Sequence, residues 1–272
     1  MAHRIPRPSE AARAGGLAAL LGALFLVWLP SAQAQTPASL PSPYSPACRN
    51  GSAALAGGSS LPNVAAALKA RKTLRILTMG AAPGRIGARG NYSDLIEAIL
   101  QKALRGTDVV MINRGISGEL AADAAIRMKN EVALESPDLV LWQVGTNDAL
   151  AYVPAHEFAA TVKDQVAWLK AHHVDVVLVG LQFAPEMLRD EHYKVIRDTL
   201  RQVAAQEHVI VIRFYEAMEI LNKAAETGQP VADQFERSEE GYDCLAQYVA
   251  RAITLGAFAT NIRKRPSAAP KP

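Results

Sequence analysis

The chain has 272 residues, 50% hydrophobic and 20% charged, with a formal charge of +3. These fractions are ordinary globular usage and exclude collagen-like, coiled-coil and wholly disordered chains. With only Cys48 and Cys244, a disulfide-dense scaffold and a Cys-only zinc site are excluded as well.

Residues 1–14 carry Arg4, Arg7 and Arg13 against Glu10, followed by the apolar run Gly15 to Leu29 and then Pro30 and Ala32-Gln33-Ala34. A basic start, an apolar core too short to span a bilayer and an A-x-A site predict a cleaved secretory signal peptide over 1–34. The expected location is periplasmic or secreted, in a bacterium. Removing that segment takes away three arginines and one glutamate, leaving 26 basic and 25 acidic residues. Residues 35–60 are rich in Pro, Ser, Ala and Gly and predict a linker. Cys48 lies in it, and an exported compartment permits a bond to Cys244; the alternative is one buried thiol and one free one. Residues 260–272 hold Arg263, Lys264, Arg265 and Lys271 among prolines and predict a disordered basic tail. Without these four cations the remaining body is slightly acidic, which argues against nucleic-acid binding.

Between these ends, over 61–259, apolar runs alternate with segments of helical period. Strands are expected at Leu74–Met79, Val109–Asn113, Asp138–Val144, Val174–Leu181 and Val209–Phe214, each nearly continuously apolar as in parallel strands covered on both faces. Helices are expected at Tyr92–Leu104, Glu119–Leu134, Ala155–His172, Leu188–Glu207, Glu216–Thr227 and Gly241–Phe258. This alternation predicts a three-layer α/β domain with a five-stranded parallel sheet, and sites in such sheets lie at the carboxyl ends of the strands.

The first strand is followed by Thr78-Met79-Gly80-Ala81-Ala82-Pro83-Gly84, the second by Asn113-Arg114-Gly115-Ile116-Ser117-Gly118, and the third by Gln143-Val144-Gly145-Thr146-Asn147-Asp148. Near the C-terminus stands Asp233-Gln234-Phe235-Glu236, then Gly241-Tyr242. In order, spacing and strand context these blocks resemble those of the SGNH, or GDSL-like, hydrolases, from Leu74 to about Ala257. The resemblance implies a flavodoxin-like fold with strand order 2-1-3-4-5. It also implies a serine nucleophile after the first strand and an Asp-x-x-His element that supplies orienter and base. The oxyanion donors would be the N–H groups of the nucleophile and of the block-two glycine, together with the block-three asparagine amide. A hydroxyl needs an adjacent base to attack, and the tetrahedral oxyanion needs preorganised donors.

Gly115, Asn147 and Asp233 stand at their family positions. The nucleophile position is Ala82 and the base position is Glu236. Alanine has no nucleophilic atom, and an ionised carboxylate only accepts hydrogen bonds. Efficient acyl-enzyme chemistry is therefore not expected, although an oxyanion pocket alone leaves some rate over water. The resemblance thus implies an exported, impaired family member whose pocket binds an acylated glycan or similar small-molecule ester. The alternatives are an active carboxylic-ester hydrolase using Ser117 or a water activated by Glu236, and an envelope interaction module.

Ser117 and Ser238 are expected as helix N-caps, and Ser93 as a cap or a solvent-facing residue. Asp233 and Glu236 are either an acid/base pair or two solvated acids. His172 and His173 suit a helix end, Trp142 suits the core, and Phe214 and Tyr215 suit either core or cleft. The absence of G-x-G-x-x-G and of a P-loop argues against a nucleotide cofactor, and no clustered ligand set suggests a metal. Neither nucleic acid nor stable membrane insertion after cleavage is expected.

Overall fold

The computed structural model describes residues 44–45, 48–49, 59–70, 72–80, 92–183, 187, 189–226 and 239–263. The expected signal peptide lies outside them, as do most of the expected linker and most of the basic tail. Helix α1 (Pro62–Ala70) leads into β1 (Leu74–Gly80), α2 (Tyr92–Ala103), β2 (Val109–Asn113), α3 (Ala121–Glu135) and β3 (Leu139–Gln143). The short α4 (Thr146–Leu150), α5 (Ala155–Ala171), β4 (Asp175–Val179), α6 (Glu191–Gln206), β5 (Ile210–Ile212), α7 (Phe214–Glu226) and α8 (Glu239–Arg263) complete the order.

All pairings are parallel, and the strands lie in the order β2-β1-β3-β4-β5, as the family resemblance implies. Strands β3, β4 and β5 are buried at every position, which accounts for their unbroken apolar runs. Helix α8 packs along α2 and also meets α1, while α3, α5 and α6 pack in sequence.

Several boundaries differ from the sequence expectation. The fifth strand stops at Ile212 because Phe214 and Tyr215, although apolar and buried, already belong to α7; they are core residues. Trp142 is fully buried. Helix α8 continues through 260–263, which composition assigned to the tail, because no proline interrupts the chain before Pro266. Helices α1 and α4 were not anticipated, being too short for a periodic signal.

Part of the expected linker is docked. Cys48 is bonded to Cys244 with a Cα separation of 5.2 Å. The Tyr248 hydroxyl donates to the Cys48 carbonyl at 2.6 Å, the Ser45 N–H donates to Gln247 at 2.8 Å, and Tyr44 meets Tyr248 edge to face. This segment covers an otherwise apolar side of α8. The bridge spans a sequence separation of 196, and restraining so long a loop in the unfolded chain is worth roughly 5 kcal/mol in the chain-entropy account.

At the amino edge of the sheet, Asp175 at the start of β4 caps α1. Its carboxylate accepts the N–H groups of Asn63 and Val64 and the Asn63 side-chain amide, all at 2.9 Å. Burial pushes its pKa up to about 6, against the pull of those donors. A cavity of about 460 Å³ lies beside it, lined by Leu61, Asn63, Lys170, His173 and His208 among others. This is the edge opposite the strand ends.

Two outcomes are expected. Cys244→Ser should lower unfolding stability by about 2–5 kcal/mol, and the unreduced wild-type protein should show no reactive thiol when denatured. Because the folded Asp175 value exceeds the unfolded one, its contribution is full below about pH 4 and is lost as pH rises through about 6. Denaturant titrations from pH 4 to 7 should therefore show the wild type losing up to about 3 kcal/mol that Asp175→Asn does not lose.

Candidate functional site

The strand register brings several loop origins to the carboxyl edge. Gly80 at the end of β1 pairs with Gln143 at the end of β3, Gln143 pairs with Val179, and Thr78 pairs with Asn113. Gly80 has φ of +81°, and a Cβ there would lie 1.9 Å from the Gln143 carbonyl oxygen. Only glycine permits this approach. The loop that leaves Gly80 carries Ala82, which lies outside the described residues, as do Asp233, Glu236 and Ser238.

The loop after β2 remains stitched to β1 beyond the strand. The Arg114 N–H donates to the Thr78 carbonyl and the Ile116 N–H to the Gly80 carbonyl, both at 3.0 Å. Asn113 organises the turn, its Oδ1 accepting from the Thr78 hydroxyl at 3.1 Å and from the Gly115 N–H at 2.9 Å. The Gly115 donor assigned to the oxyanion is thus engaged within its own loop, and an incoming oxygen would have to share or displace it. Arg114 reaches Glu131 and Glu135 on α3, and Arg127 pairs with Glu119 at 2.8 Å. The arginine of Asn-Arg-Gly is therefore a tether for the loop.

The Gly145-Thr146-Asn147-Asp148 segment holds the neighbouring loops with three side chains. Gly145 has φ of +104°, and a Cβ would lie 2.6 Å from Leu181. Thr146 Oγ1 accepts the Gln182 N–H at 3.0 Å. Asn147 Nδ2 donates to the Glu119 carbonyl at 3.0 Å, and no other described residue accepts from that amide, which has two hydrogens. Asp148 Oδ1 accepts the Ala121 N–H at 2.9 Å. Asp148 is buried, and burial raises its carboxyl pKa although backbone donors oppose the shift.

This last bond corrects the expectation for Ser117. Helix α3 starts at Ala121, and Leu120 in the cap position has no side chain able to cap it. Asp148 performs the task from another element, while Ser117 lies exposed in the preceding turn. Sequence reasoning missed Asp148; the available signal was an apolar residue, Leu120, directly before a helix. Ser93 differs too: it sits buried inside the first turn of α2, and its Oγ has no hydrogen-bond partner among the described residues. His172 ends α5, with Nδ1 2.7 Å from the Trp168 carbonyl and its ring on Trp168. Among the described residues no group of His, Cys, Asp or Glu could hold a metal ion, and no helix is long and apolar enough to cross a membrane.

The sequence model of the non-GDSL lipase-like family matches residues 47–259. The chain belongs to the non-GDSL lipase-like family, within the SGNH hydrolase superfamily. The match begins at residue 47, beside the docked Cys48. This family member is 28% identical over 120 residues to the esterase TesA of Pseudomonas aeruginosa, covering 43% of this chain and 59% of that protein. It is 25% identical over 121 residues to an arylesterase of Vibrio mimicus, covering 44% and 58%. The chain thus matches about three-fifths of the length of these relatives. The crystal structure of a lipase/acylhydrolase from Enterococcus faecalis superimposes with a TM-score of 0.56 at 23% identity, over 72% of this chain and 100% of that one. That likeness shows the fold.

The remote cap has a measurable cost. Asp148→Ala should lower stability by about 1–2 kcal/mol in denaturant unfolding. Asp148→Asn keeps the acceptor and should stay within about 1 kcal/mol of the wild type.

Proposed function

We propose that this protein is an exported family member impaired in hydrolysis, whose pocket at the carboxyl edge binds an acylated glycan or similar ester. One observation carries this reading. The sequence keeps Gly115, Asn147 and Asp233 at their family positions but has Ala82 and Glu236 where the reaction needs a hydroxyl and an imidazole. No histidine follows His208, so a shift of register supplies no base. An Asn147 amide hydrogen with no acceptor among the described residues supports a retained acceptor-binding function. The Cys48–Cys244 bond is compatible with the oxidising compartment that the N-terminal signal implies.

The active-hydrolase alternative rests on Ser117 or on a water activated by Glu236. Ser117 is free of the capping role, but no described histidine or carboxylate hydrogen-bonds it, and a serine without a base is a weak nucleophile.

The wild-type protein should form no covalent adduct with a fluorophosphonate probe and show no burst with p-nitrophenyl acetate. Ala82→Ser combined with Glu236→His should gain ester hydrolysis at least about 100-fold above the parent. A probe adduct mapped to Ser117 in the wild type would instead establish the rearranged hydrolase.

A further inference from the structure

Tyr152 follows α4 and lies on the same sheet edge as Asn147. It is 65% exposed, yet its conformation is held at every point. Its backbone has φ of +54°, a left-handed geometry that bulky residues adopt only at a cost. Its ring stacks on His192, with centroids 5.1 Å apart and planes 19° apart. Its hydroxyl donates to Asp190 Oδ2 at 3.0 Å. Asp190 is itself fixed, because its Oδ1 accepts the Tyr193 N–H and caps α6. The Tyr193 hydroxyl donates to the Gln182 carbonyl at 2.7 Å, and the Gln182 N–H returns to Thr146 at the start of α4.

The segment from Thr146 to Tyr152 is therefore clamped at both ends to the connection between β4 and α6. One ring face rests on the imidazole, and most of the side chain stands in solvent. Glycine or asparagine would take the left-handed turn with less strain, so the turn itself does not call for an aromatic ring. A rigid, exposed aromatic face with its polar tip already satisfied suits a partner that is apolar on one face and polar at its edges. A pyranose ring has that character: its axial C–H groups lie over an aromatic face while its hydroxyls remain in water.

We propose that Tyr152 is a stacking platform for a sugar ring of the ligand, so that the partner at this edge is a glycan and not a simple acyl ester. This rests on the reading of the carboxyl edge as the ligand site. A tie that only steadied α4 would need the hydroxyl and not the ring, and that difference makes the two roles separable.

Acetylated xylo-oligosaccharide serves as the probe, titrated calorimetrically into the full mature protein, with the unfolding midpoint of each variant measured alongside. Tyr152→Ala should weaken binding roughly three- to tenfold, and Tyr152→Phe, which keeps the ring and loses the hydroxyl, should restore most of it. Equal weakening in both variants would overturn stacking in favour of a positioning role through Asp190. Wild-type affinity in both would overturn it outright while leaving the proposed ligand pocket standing. Asn147→Ala separates that pocket from the platform: if Tyr152→Ala weakens binding and Asn147→Ala does not, the platform stands and the oxyanion-pocket reading falls. No binding to the wild type would overturn the glycan assignment itself.

Discussion

The buried Asp148 carboxylate accepts the Ala121 N–H, and through that bond the start of α3 is fixed to α4, the short helix that follows β3. A carboxylate taken out of water is costly unless donors replace its hydration, so the site requires an orphan helix N–H near it. Helix α3 provides one because Leu120 cannot cap its own helix. The orphan helix N–H is met by Asp148 Oδ1, while Oδ2 has no hydrogen-bond partner among the described residues, and the geometry of the carboxyl edge follows. With Asp148 in place, Asn147 faces the Glu119 carbonyl and Thr146 meets Gln182. The connections that leave β2 and β4 are thus held by successive residues of one short helix.

That scaffold is independent of the reacting groups. Gly80 is required by its approach to the Gln143 carbonyl, and Gly145 by its contact with Leu181. Asn113 is required by the turn that it closes over Gly115. None of these roles involves bond making, so the architecture of a hydrolase does not depend on which residues stand at the nucleophile and base positions, which we propose are Ala82 and Glu236. This explains how a chain retains the family's blocks in order while proposed to lack its chemistry. Family membership therefore follows from the sheet and its loop anchors, whereas activity depends on a few side chains that the fold does not need.

The opposite side of the domain is braced separately. Asp175 caps α1 with three accepted hydrogen bonds, and the Cys48–Cys244 bond holds the preceding segment on α8. Helix α8 is apolar around most of its circumference, with Cys244, Leu245, Ala246, Tyr248, Val249 and Ala250 all buried. A helix covered on nearly all sides needs more than the sheet to cover it. Helix α1 and the residues Tyr44, Ser45 and Cys48 supply that cover, which makes part of a linker-like composition belong to the folded body.

Periodicity and local chemistry in the sequence alone determined the parallel α/β class, five strands near their final positions, and the motif blocks that place Gly115 and Asn147 at strand ends. The proposed substitutions at Ala82 and Glu236 rest on the sequence alone, because they are matters of residue identity. Only the tertiary structure decided which groups are already spent: the Gly115 N–H on Asn113, one Asn147 hydrogen on Glu119, and the Asp148 carboxylate on a helix 27 residues away in sequence. Only it joined Asp190, His192 and Tyr152 into one rigid face. Burial within a strand or helix follows the chain's own period and can be read along it. A hydrogen bond between loops depends on where distant strand ends meet, and that is set by register and packing across the whole sheet.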